Sequence, residues 1–596
     1  MSINKLNRII SIFVLIVILY GCTNKTTPKD SGKEIVLRLE PGKGNPRNSE
    51  GDFIQLKDGT ILFVYTHFTG GSGDNSSAHL AGRFSRDKGK TWSDKDVDIL
   101  SNEGNMNIMS VSLLRLENGD IALFYSRKNS QKDCIPFMRI STDEAKSWSK
   151  SKRCIPGEGY FVVNNDRFVQ LANGRIIFPA SLHAAPDWAN GKVYCYYSDD
   201  NGNTWKKSNQ IANPKNIVLQ EPGIVELKGG KMMLFCRTES GVQYFSFSDD
   251  QGQSWSEIEP GNIRSPLSPA SIKRIPSTGD LLLLWNNNYE EGRDGGKRTP
   301  YSLAISKNEG KTWEKIKTVE SDPAGWYCYT AMSFTKDHVL LGHCAGDTKT
   351  NNGLSTTQIT RLSLDWIYKE ATADPNVTII DEQIVLNCGD KNAQIIYTMD
   401  GSLPSENSGL IYQDPIVINK LTPLYMQAFQ SGKTPSQIVF KQVGSYIFQE
   451  AQQVSSSIKQ GLNYQFFKGE FDMTSEIDNS QVIQKGIVSN FSLQNSDIGE
   501  NFAFIFDGYI KISKEGLYTF YLESNDGSIM YLNGEKLIDN DGAHGSYTKN
   551  VSTSLKEGFH HIKIKYFQAG GGKSLTVYWK SSEFDKVEIP DSVLYH

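Results

Sequence analysis

Six positions of this 596-residue chain recur at the same place in a repeated hairpin, and several of them carry reactive side chains. Counting nine residues back from each hairpin turn gives Glu50, Ser110, Asn165, Glu221, Ala270 and Tyr329. Polar residues that only cap strand starts would account for Ser110 and Asn165. They account less well for a glutamate and a tyrosine at equivalent positions. A glutamate near a tyrosine can take the phenol proton and so activate a nucleophile.

These hairpins belong to a repeat that fills about the first 370 residues. Their turn residues are Gly59, Gly119, Gly174, Gly230, Gly279 and His338. A second motif, Ser-x-Asp-x-Gly-x-Thr/Ser-Trp, ends at Trp92, Trp148, Trp205, Trp255 and Trp313, with Ala145 for Gly in one copy and Asn308 for Asp in another. Asp and Gly favour a tight turn, and the Trp is expected to pack between units. Six hairpins at a period of about 50 residues predict a six-bladed β-propeller rather than a solenoid.

Five such motifs on a six-unit pattern resemble the Asp-box propellers of the sialidase (neuraminidase) superfamily over residues 35–368. Sialidases use a tyrosine nucleophile that a glutamate deprotonates. A neutral phenol suits a substrate whose anomeric carbon bears a carboxylate, because an anionic nucleophile would be repelled. The resemblance implies that Tyr329 is the nucleophile and Glu221 its base, with Thr330 in the family's serine place. Tyr327 is a neighbouring competitor for the nucleophile role.

The resemblance also implies an arginine clamp for the substrate carboxylate, since arginine binds carboxylates bidentately and stays charged. Arg237 lies 16 residues after Glu221, and Arg298 precedes the last Asp-box strand, as in the family. The alternative for each is a surface salt bridge. The family's opening Arg-Ile-Pro is missing, and its arginine would fall at Ser49. Arg47 supplies this cation by a local shift, or the adjacent Glu50 alters the charge of the pocket and with it the choice of substrate.

A glycine-rich loop, FTGGSGDNSSAHLAGRF, holds the candidate acid/base Asp74, which is otherwise a turn residue. If this loop closes over a ligand, partial burial would raise the pKa of a carboxyl group on it. Asp166 and Arg167 are candidate substrate-binding residues. They either contact substrate hydroxyls or form a structural ion pair with each other.

The N-terminus has the features of a bacterial lipoprotein signal. Lys5 and Arg8 precede a 12-residue apolar run that is too short to span a membrane, and Leu19-Tyr20-Gly21-Cys22 follows. We expect a signal peptide at 1–21, lipidation at Cys22 and a tether at 22–34. The alternative is an ordinary secretory signal with a chance cysteine. The other seven cysteines lack metal-site spacing, and a Cys134–Cys154 disulfide stays open.

Charge and composition exclude two further classes of protein. Lys+Arg 63 against Asp+Glu 67 gives a net charge of −4, which argues against a nucleic-acid binder. Hydrophobic residues at 38% rule out disorder across the whole chain.

Two further modules are expected after the propeller at 35–370. Residues 374–444, with YTMDGSLP, resemble the immunoglobulin-like module at the C-terminus of chitobiases. Residues 458–594 resemble a PA14 β-sandwich, in which calcium-binding members carry an Asp-Asp pair. Here the pair is Asn525-Asp526, with Asp539 and Asp541 nearby, so Asp526 is a weak candidate calcium ligand. A sandwich without calcium is the alternative.

The whole chain is therefore expected to be all-β and to act as a lipid-anchored exo-α-sialidase that needs no cofactor. It would cleave sialylated glycoconjugates by a retaining mechanism at the bacterial cell envelope, on the periplasmic side or the cell surface. The alternatives are a propeller glycosidase for another acidic sugar and a lipoprotein that binds acidic glycans without cleaving them. The pairing of a candidate base with a candidate nucleophile favours the enzyme, because binding alone needs neither.

Overall fold

The computed structural model describes residues 32–184, 190–288, 297–350, 352–380, 383–418, 422–444, 448–493, 500–570 and 573–596. The regular secondary structure of these residues is almost entirely β-strand, which confirms the predicted all-β class. The described helices are short: α1 at Leu364–Tyr368 and two 3-10 turns at Thr474–Asn479 and Asp591–Val593. None of them has the length or apolar character needed to cross a membrane.

The first part of the chain forms short antiparallel sheets whose strands follow one another in sequence. Its strands are β1 Lys33–Leu39, β2 Arg47–Gln55, β3 Ile61–Phe68, β4 Ala78–Ser85, β5 Val97–Leu100, β6 Asn107–Arg115, β7 Ile121–Ser130, β8 Asp133–Ser141, β9 Lys152–Arg153, β10 Tyr160–Val162, β11 Val169–Gln170, β12 Ile176–His183, β13 Lys192–Ser198, β14 Lys206–Lys207, β15 Gln220–Glu226, β16 Met232–Arg237, β17 Val242–Ser248, β18 Glu259–Arg264, β19 Ser271–Arg274, β20 Leu281–Asn286, β21 Tyr301–Ser306, β22 Glu314–Glu320, β23 Gly325–Phe334, β24 His338–Asp347 and β25 Thr357–Ser363.

Four of these sheets have four strands each: β2 to β5, β15 to β18, β19 to β22, and β23 to β25 with β1. The first strand thus pairs with β25, more than 300 residues later in the chain. Strands β6 to β14 form one nine-stranded sheet, in which β8 and β10 meet at the single parallel pair Tyr160–Cys134. Apolar side chains from neighbouring sheets pack together, as in the large cluster that runs from Ile54 to Tyr196.

The Asp-box motifs form one turn repeated five times. In the first, the Asp87 carboxylate accepts hydrogen bonds from the Thr91 amide at 2.9 Å and from its hydroxyl at 2.7 Å. The same pair of bonds recurs at Asp143, Asp200 and Asp250. At Asn308 the side-chain oxygen accepts from the Thr312 amide, and the side-chain amide donates to the Thr312 hydroxyl. Trp205 packs on Phe178 of its own unit and on Phe124 of the preceding one, as expected for a residue between units.

Four strands that begin a repeat unit contain a β-bulge at the same place. The pairing register shifts around Glu50, Ser110, Glu221 and Tyr329. Each of these residues has a positive φ, between 50° and 60°. This conformation is uncommon for residues other than glycine, and a bulge redirects the side chain it carries. These four positions, which align in the sequence repeat, therefore share one backbone conformation.

The second part of the chain forms two successive β-sandwiches. The smaller packs β26 Pro375–Ile380, β27 Gln383–Cys388 and β30 Ile416–Val417 against β28 Gln394–Thr398, β29 Leu410–Ile411, β31 Thr422–Phe429 and β32 Val439–Val443. The larger comprises β33 Phe448–Gln449, β34 Leu462–Lys468, β35 Gln484–Val488, β36 Phe502–Ile512, β37 Gly516–Asn525, β38 Ser528–Leu532, β39 Glu535–Asn540, β40 Tyr547–Leu555, β41 Gly558–Gln568, β42 Ser574–Lys580, β43 Val587–Glu588 and β44 Leu594–Tyr595. Its five-stranded and seven-stranded sheets enclose an aromatic-rich core.

Candidate active site

Tyr329 and Glu221 meet although they lie on different sheets. The Tyr329 hydroxyl donates a hydrogen bond of 2.9 Å to Glu221 Oε1. Arg237 Nη1 donates to the other carboxylate oxygen at 2.6 Å. Arg237 is brought there by strand pairing, because it lies opposite Gln220, the neighbour of Glu221. A phenol, a base and a cation thus form one connected group, with the residue types that the sequence predicted.

Arg298 lies on the other side of the tyrosine. Its guanidinium is 5.3 Å from the centre of the Tyr329 ring and 4.9 Å from that of Trp326. The carbonyl of Arg298 accepts a hydrogen bond from the Tyr327 amide, which ties this segment to β23. Arg298 is buried, and within the described chain its Nε and Nη1 have no hydrogen-bond partner, as is also true of Arg237 Nε. Buried donors of this kind are normally paired, so these atoms are suited to an incoming anion.

Charge and burial set the resting protonation of the pair. Burial alone would raise the pKa of Glu221, but the cations Arg237 and Arg298 and the hydrogen bonds to the carboxylate outweigh it and lower the pKa. Burial, and then the charge of Glu221, raise the pKa of Tyr329 well above its usual value. At neutral pH the glutamate is therefore ionised and the tyrosine neutral, which is the state in which a base can take a phenol proton.

Arg47 has a dense set of contacts within β2 and with the loop that carries Asp74. Its Nη1 binds Asp74 at 2.5 Å, its Nη2 binds Glu50 at 2.8 Å and its Nε binds Ser49 at 2.9 Å. Arg47 is almost fully buried, with its guanidinium over the Phe68 ring at 4.4 Å. Arg47 is thus held by Glu50 and Asp74, and whether it supplies the clamp cation or Glu50 alters the charge of the pocket stays a prediction.

Asp74 differs from the expectation of a partly buried carboxyl group. Its side chain is 61% exposed. The reason is its place on the loop between β3 and β4, which carries it into solvent while Arg47 holds one carboxylate oxygen.

Asn107, Lys128 and Asn165 support this site, and only Asn165 is prominent in the sequence. Asn107 Nδ2 donates to the carbonyls of Asp74 and Ser76 at 2.8 Å each, and Lys128 Nζ donates to the Asp74 carbonyl at 3.2 Å. Asn165 Nδ2 donates to the carbonyl of Tyr329 at 3.0 Å. Asn107 precedes its bulge by three residues, as Arg47 and Trp326 precede theirs. A repeat comparison made three positions earlier in each unit would have found Asn107 and Trp326, but not Lys128.

Asp166 and Arg167 have other partners. Asp166 forms an ion pair with Lys273 and accepts a hydrogen bond from the Met332 amide at 3.0 Å. Arg167 donates to the carbonyl of Ala270 at 2.8 Å and to Ser271 Oγ at 3.4 Å. Both are buried, and the described ion pairs do not join them to each other. Their contacts connect neighbouring sheets, and their role toward substrate stays a prediction.

The remaining sequence predictions concern cysteines and calcium. Cys22 lies outside the described residues, and the seven described cysteines are free, Cys134 and Cys154 among them. Asp526 accepts backbone hydrogen bonds at both oxygens, from His544 and from Ala569. Asp541 accepts from Thr474, and Asp539 pairs with Lys536. In the described chain no three or more His, Cys, Asp or Glu side chains form a group that could hold a metal ion. Calcium binding at Asp526 stays a prediction.

Comparison with protein families identifies three regions. Residues 98–342 match the BNR repeat-like domain, residues 375–440 the Chitobiase/beta-hexosaminidase C-terminal domain and residues 459–592 the PA14 domain. These matches confirm the three resemblances in their predicted order.

Among curated proteins, a sialidase of Vibrio cholerae is 28% identical over 27% of this chain and 23% of its own length. A sialidase of Clostridium perfringens is 26% identical over 35% of this chain and 60% of its own length. The chain thus spans less than two thirds of either relative. The solved intramolecular trans-sialidase of Ruminococcus gnavus, in complex with oseltamivir carboxylate, has a TM-score of 0.44 and 17% identity, covering 56% of this chain and 98% of that one.

The chain therefore combines a BNR repeat-like domain related in sequence to sialidases with a chitobiase-type C-terminal domain and a PA14 domain, in that order.

Proposed function

We propose that this protein is an exo-α-sialidase that removes terminal sialic acid from glycoconjugates with retention of configuration. The observation that carries the proposal is the hydrogen bond from Tyr329 to Glu221 at 2.9 Å, with Arg237 on the same carboxylate. The low-identity sialidase relatives support the same class of reaction.

In the first step, Tyr329 Oη attacks the anomeric carbon while Glu221 takes the phenol proton. Asp74 gives a proton to the glycosidic oxygen, and the leaving sugar departs as an alcohol. A neutral nucleophile suits a carbon that bears a carboxylate, and the base is adjacent because of the two bulges. In the second step, water attacks the glycosyl–tyrosine bond with Asp74 as base, and Glu221 returns the proton to Tyr329. Two displacements retain the configuration, and no step calls on a cofactor.

The substrate carboxylate is bound mainly by Arg237 and Arg298. Their buried donors without partners suit this role, as described above. Arg47 contributes less to binding the substrate carboxylate, because its guanidinium N–H groups already donate to Glu50 and Asp74. A carboxylate that reaches Arg47 competes with Asp74 and so releases the acid toward the leaving oxygen.

An aryl sialoside tests the proposal directly. We expect release of the phenol, and proton NMR of the first sugar formed should show the α-anomer before mutarotation. Release of the β-anomer would contradict the covalent mechanism, and absence of turnover on every sialoside would contradict the activity.

One observation favours a second candidate, a glycosidase for another acidic sugar. Glu50 is buried and bonded to Arg47 at 2.8 Å, so this arginine is less available to a sialic acid carboxylate. A panel of aryl glycosides with other carboxylate sugars, such as uronides, separates the two candidates. Turnover of a uronide without turnover of a sialoside would favour the second. Binding of acidic glycans without turnover of either would favour a non-catalytic lipoprotein.

We also propose that residues 35–370 form a six-bladed propeller. Four sheets of four strands are four of its blades, and the nine-stranded sheet is two blades joined at β8 and β10. The pairing of β1 with β25 supports closure of the ring. The boundaries 374–444 and 458–594 for the two later modules belong to the same proposal. Lipid attachment at Cys22, after removal of 1–21, would anchor the enzyme in the bacterial envelope through the 22–34 tether.

A further inference from the structure

A cavity of about 460 Å³ lies between the sialidase-like region and the PA14 domain. One wall contains Arg298, which precedes β21, and Trp326, which lies in β23. The other wall contains Tyr547, Lys549 and Asn550, from β40 of the PA14 domain. Residues that are about 200 positions apart in the chain therefore line the same space.

This cavity shares one residue, Arg298, with the candidate active site. Arg298 lines it, and the same guanidinium is 5.3 Å from the Tyr329 ring. Arg298 Nε and Nη1 and the indole Nε1 of Trp326 are buried atoms without a hydrogen-bond partner in the described chain. A group bound here would lie beside Arg298, whose donors are assigned to the substrate carboxylate, and would have the Trp326 indole N–H available to it.

The PA14 wall consists of the first part of β40 and of Ile538 and Asp539 in β39. Alternation along β40 places Tyr547, Lys549 and Val551 on the same face as Leu555. Leu555 is buried in the core of the sandwich, whereas Tyr547 is 48% and Val551 38% exposed. At this end of β40 the side chains are therefore less covered than Leu555, and they border the cavity together with Ile538 and Asp539 of β39. Lys549 Nζ is held by the Asp539 carbonyl at 2.7 Å.

We propose that this cavity is a leaving-group subsite, in which the PA14 domain binds the neutral sugar chain that carries the terminal acidic sugar. The proposal rests on the proposed function. Aromatic rings with polar ends, such as Tyr547 and Trp326, offer apolar faces to sugar rings, and a few fixed polar groups orient the hydroxyls. The PA14 domain then acts on substrate choice from within the active site rather than as a separate tether.

The test compares two substrates whose leaving groups are both alcohols and differ in size: methyl sialoside and a sialylated trisaccharide. Tyr547→Ala should lower kcat/KM for the trisaccharide about tenfold, mainly through KM, and leave methyl sialoside unchanged. Tyr547→Phe, which keeps the ring, should retain most of the wild-type kcat/KM for the trisaccharide. The matched control is Tyr578→Ala, which removes a tyrosine from β42 outside the cavity. Equal losses on both substrates, or no loss on either, would overturn the subsite.

Calorimetric titration separates this outcome from failure of the proposed function. The trisaccharide itself is titrated into Tyr329→Phe protein with and without Tyr547→Ala. The subsite requires about tenfold weaker binding in the double variant, whether or not the wild type is active. Equal affinities would contradict the subsite even for an active sialidase.

Discussion

The hydroxyl of Tyr329 donates a 2.9 Å hydrogen bond to Glu221, 108 residues earlier in the chain. Each residue lies on a bulge with a positive φ, at the equivalent point of a different repeat unit. The contact therefore depends on the packing of sheets rather than on local sequence.

Tyr329→Phe removes one oxygen and keeps the ring, so the fold should persist. We expect kcat on an aryl sialoside to fall by about 10³-fold or more, because loss of an activated nucleophile is rarely bypassed. The control is Tyr327→Phe, since Tyr327 is buried against Tyr301 and lies apart from Glu221. Circular dichroism verifies folding. Near wild-type turnover of Tyr329→Phe would refute the nucleophile assignment.

The acidic limb of the pH profile should report Glu221. The base acts in its ionised form, so activity is lost as pH falls through its pKa. Burial opposes ionisation, but Arg237 and Arg298 hold the pKa below the ordinary value of 4.5, which places this limb below pH 4.5. Arg237→Gln removes one cation, so the limb in kcat/KM should move to higher pH. Arg274→Gln, which breaks an ion pair with Glu309, is the control and should leave the limb in place.

Asn107→Ala should weaken acid catalysis, because Asn107 holds the loop that carries Asp74. A poor leaving group needs the proton most. We therefore expect kcat/KM to fall about tenfold more for methyl sialoside than for an activated aryl sialoside. Asn118→Ala, at the turn between β6 and β7, is the control. A uniform loss on both substrates would indicate a structural effect instead.

Ala145→Gly should stabilise the protein by about 1 kcal/mol. Ala145 has a φ of 62°, in the position where four other Asp-boxes have glycine. The left-handed conformation costs a residue with a Cβ about 1–2 kcal/mol, and the greater freedom of glycine in the unfolded chain offsets part of the gain. Denaturant unfolding followed by tryptophan fluorescence measures the change. The reverse change, Gly202→Ala, should destabilise, because Gly202 has a φ of 80°, which strains a residue with a Cβ.

Cys22→Ser should release the mature protein from the membrane fraction, because the lipid acceptor is lost. Detergent phase partitioning after expression in a lipoprotein-processing bacterium measures this. Cys388→Ser changes a cysteine of the chitobiase-type domain and should leave the partitioning as in the wild type. Unchanged partitioning of Cys22→Ser would exclude lipid attachment there.

The sequence predicts the fold class and the central pair because both follow the repeat. Glu221 and Tyr329 lie at the same distance from their hairpin turns in the sequence. The structure adds the β-bulge that orients each side chain. The union of Arg47 with Asp74 could not be predicted, since it depends on the conformation of a loop 27 residues away. The cavity between β40 and Arg298 could not be predicted either, because packing between domains leaves no periodic pattern in a sequence.

The repeated bulge fixes the position of a side chain whatever its residue type. Glu50, Ser110, Glu221 and Tyr329 differ in size, charge and hydrogen bonding, yet their backbones have the same shape. A point substitution at such a place exchanges a functional group without requiring a new backbone. Copying a repeat unit adds another such place, so a fold that grows by duplication also increases the number of residues from which an active site can be assembled.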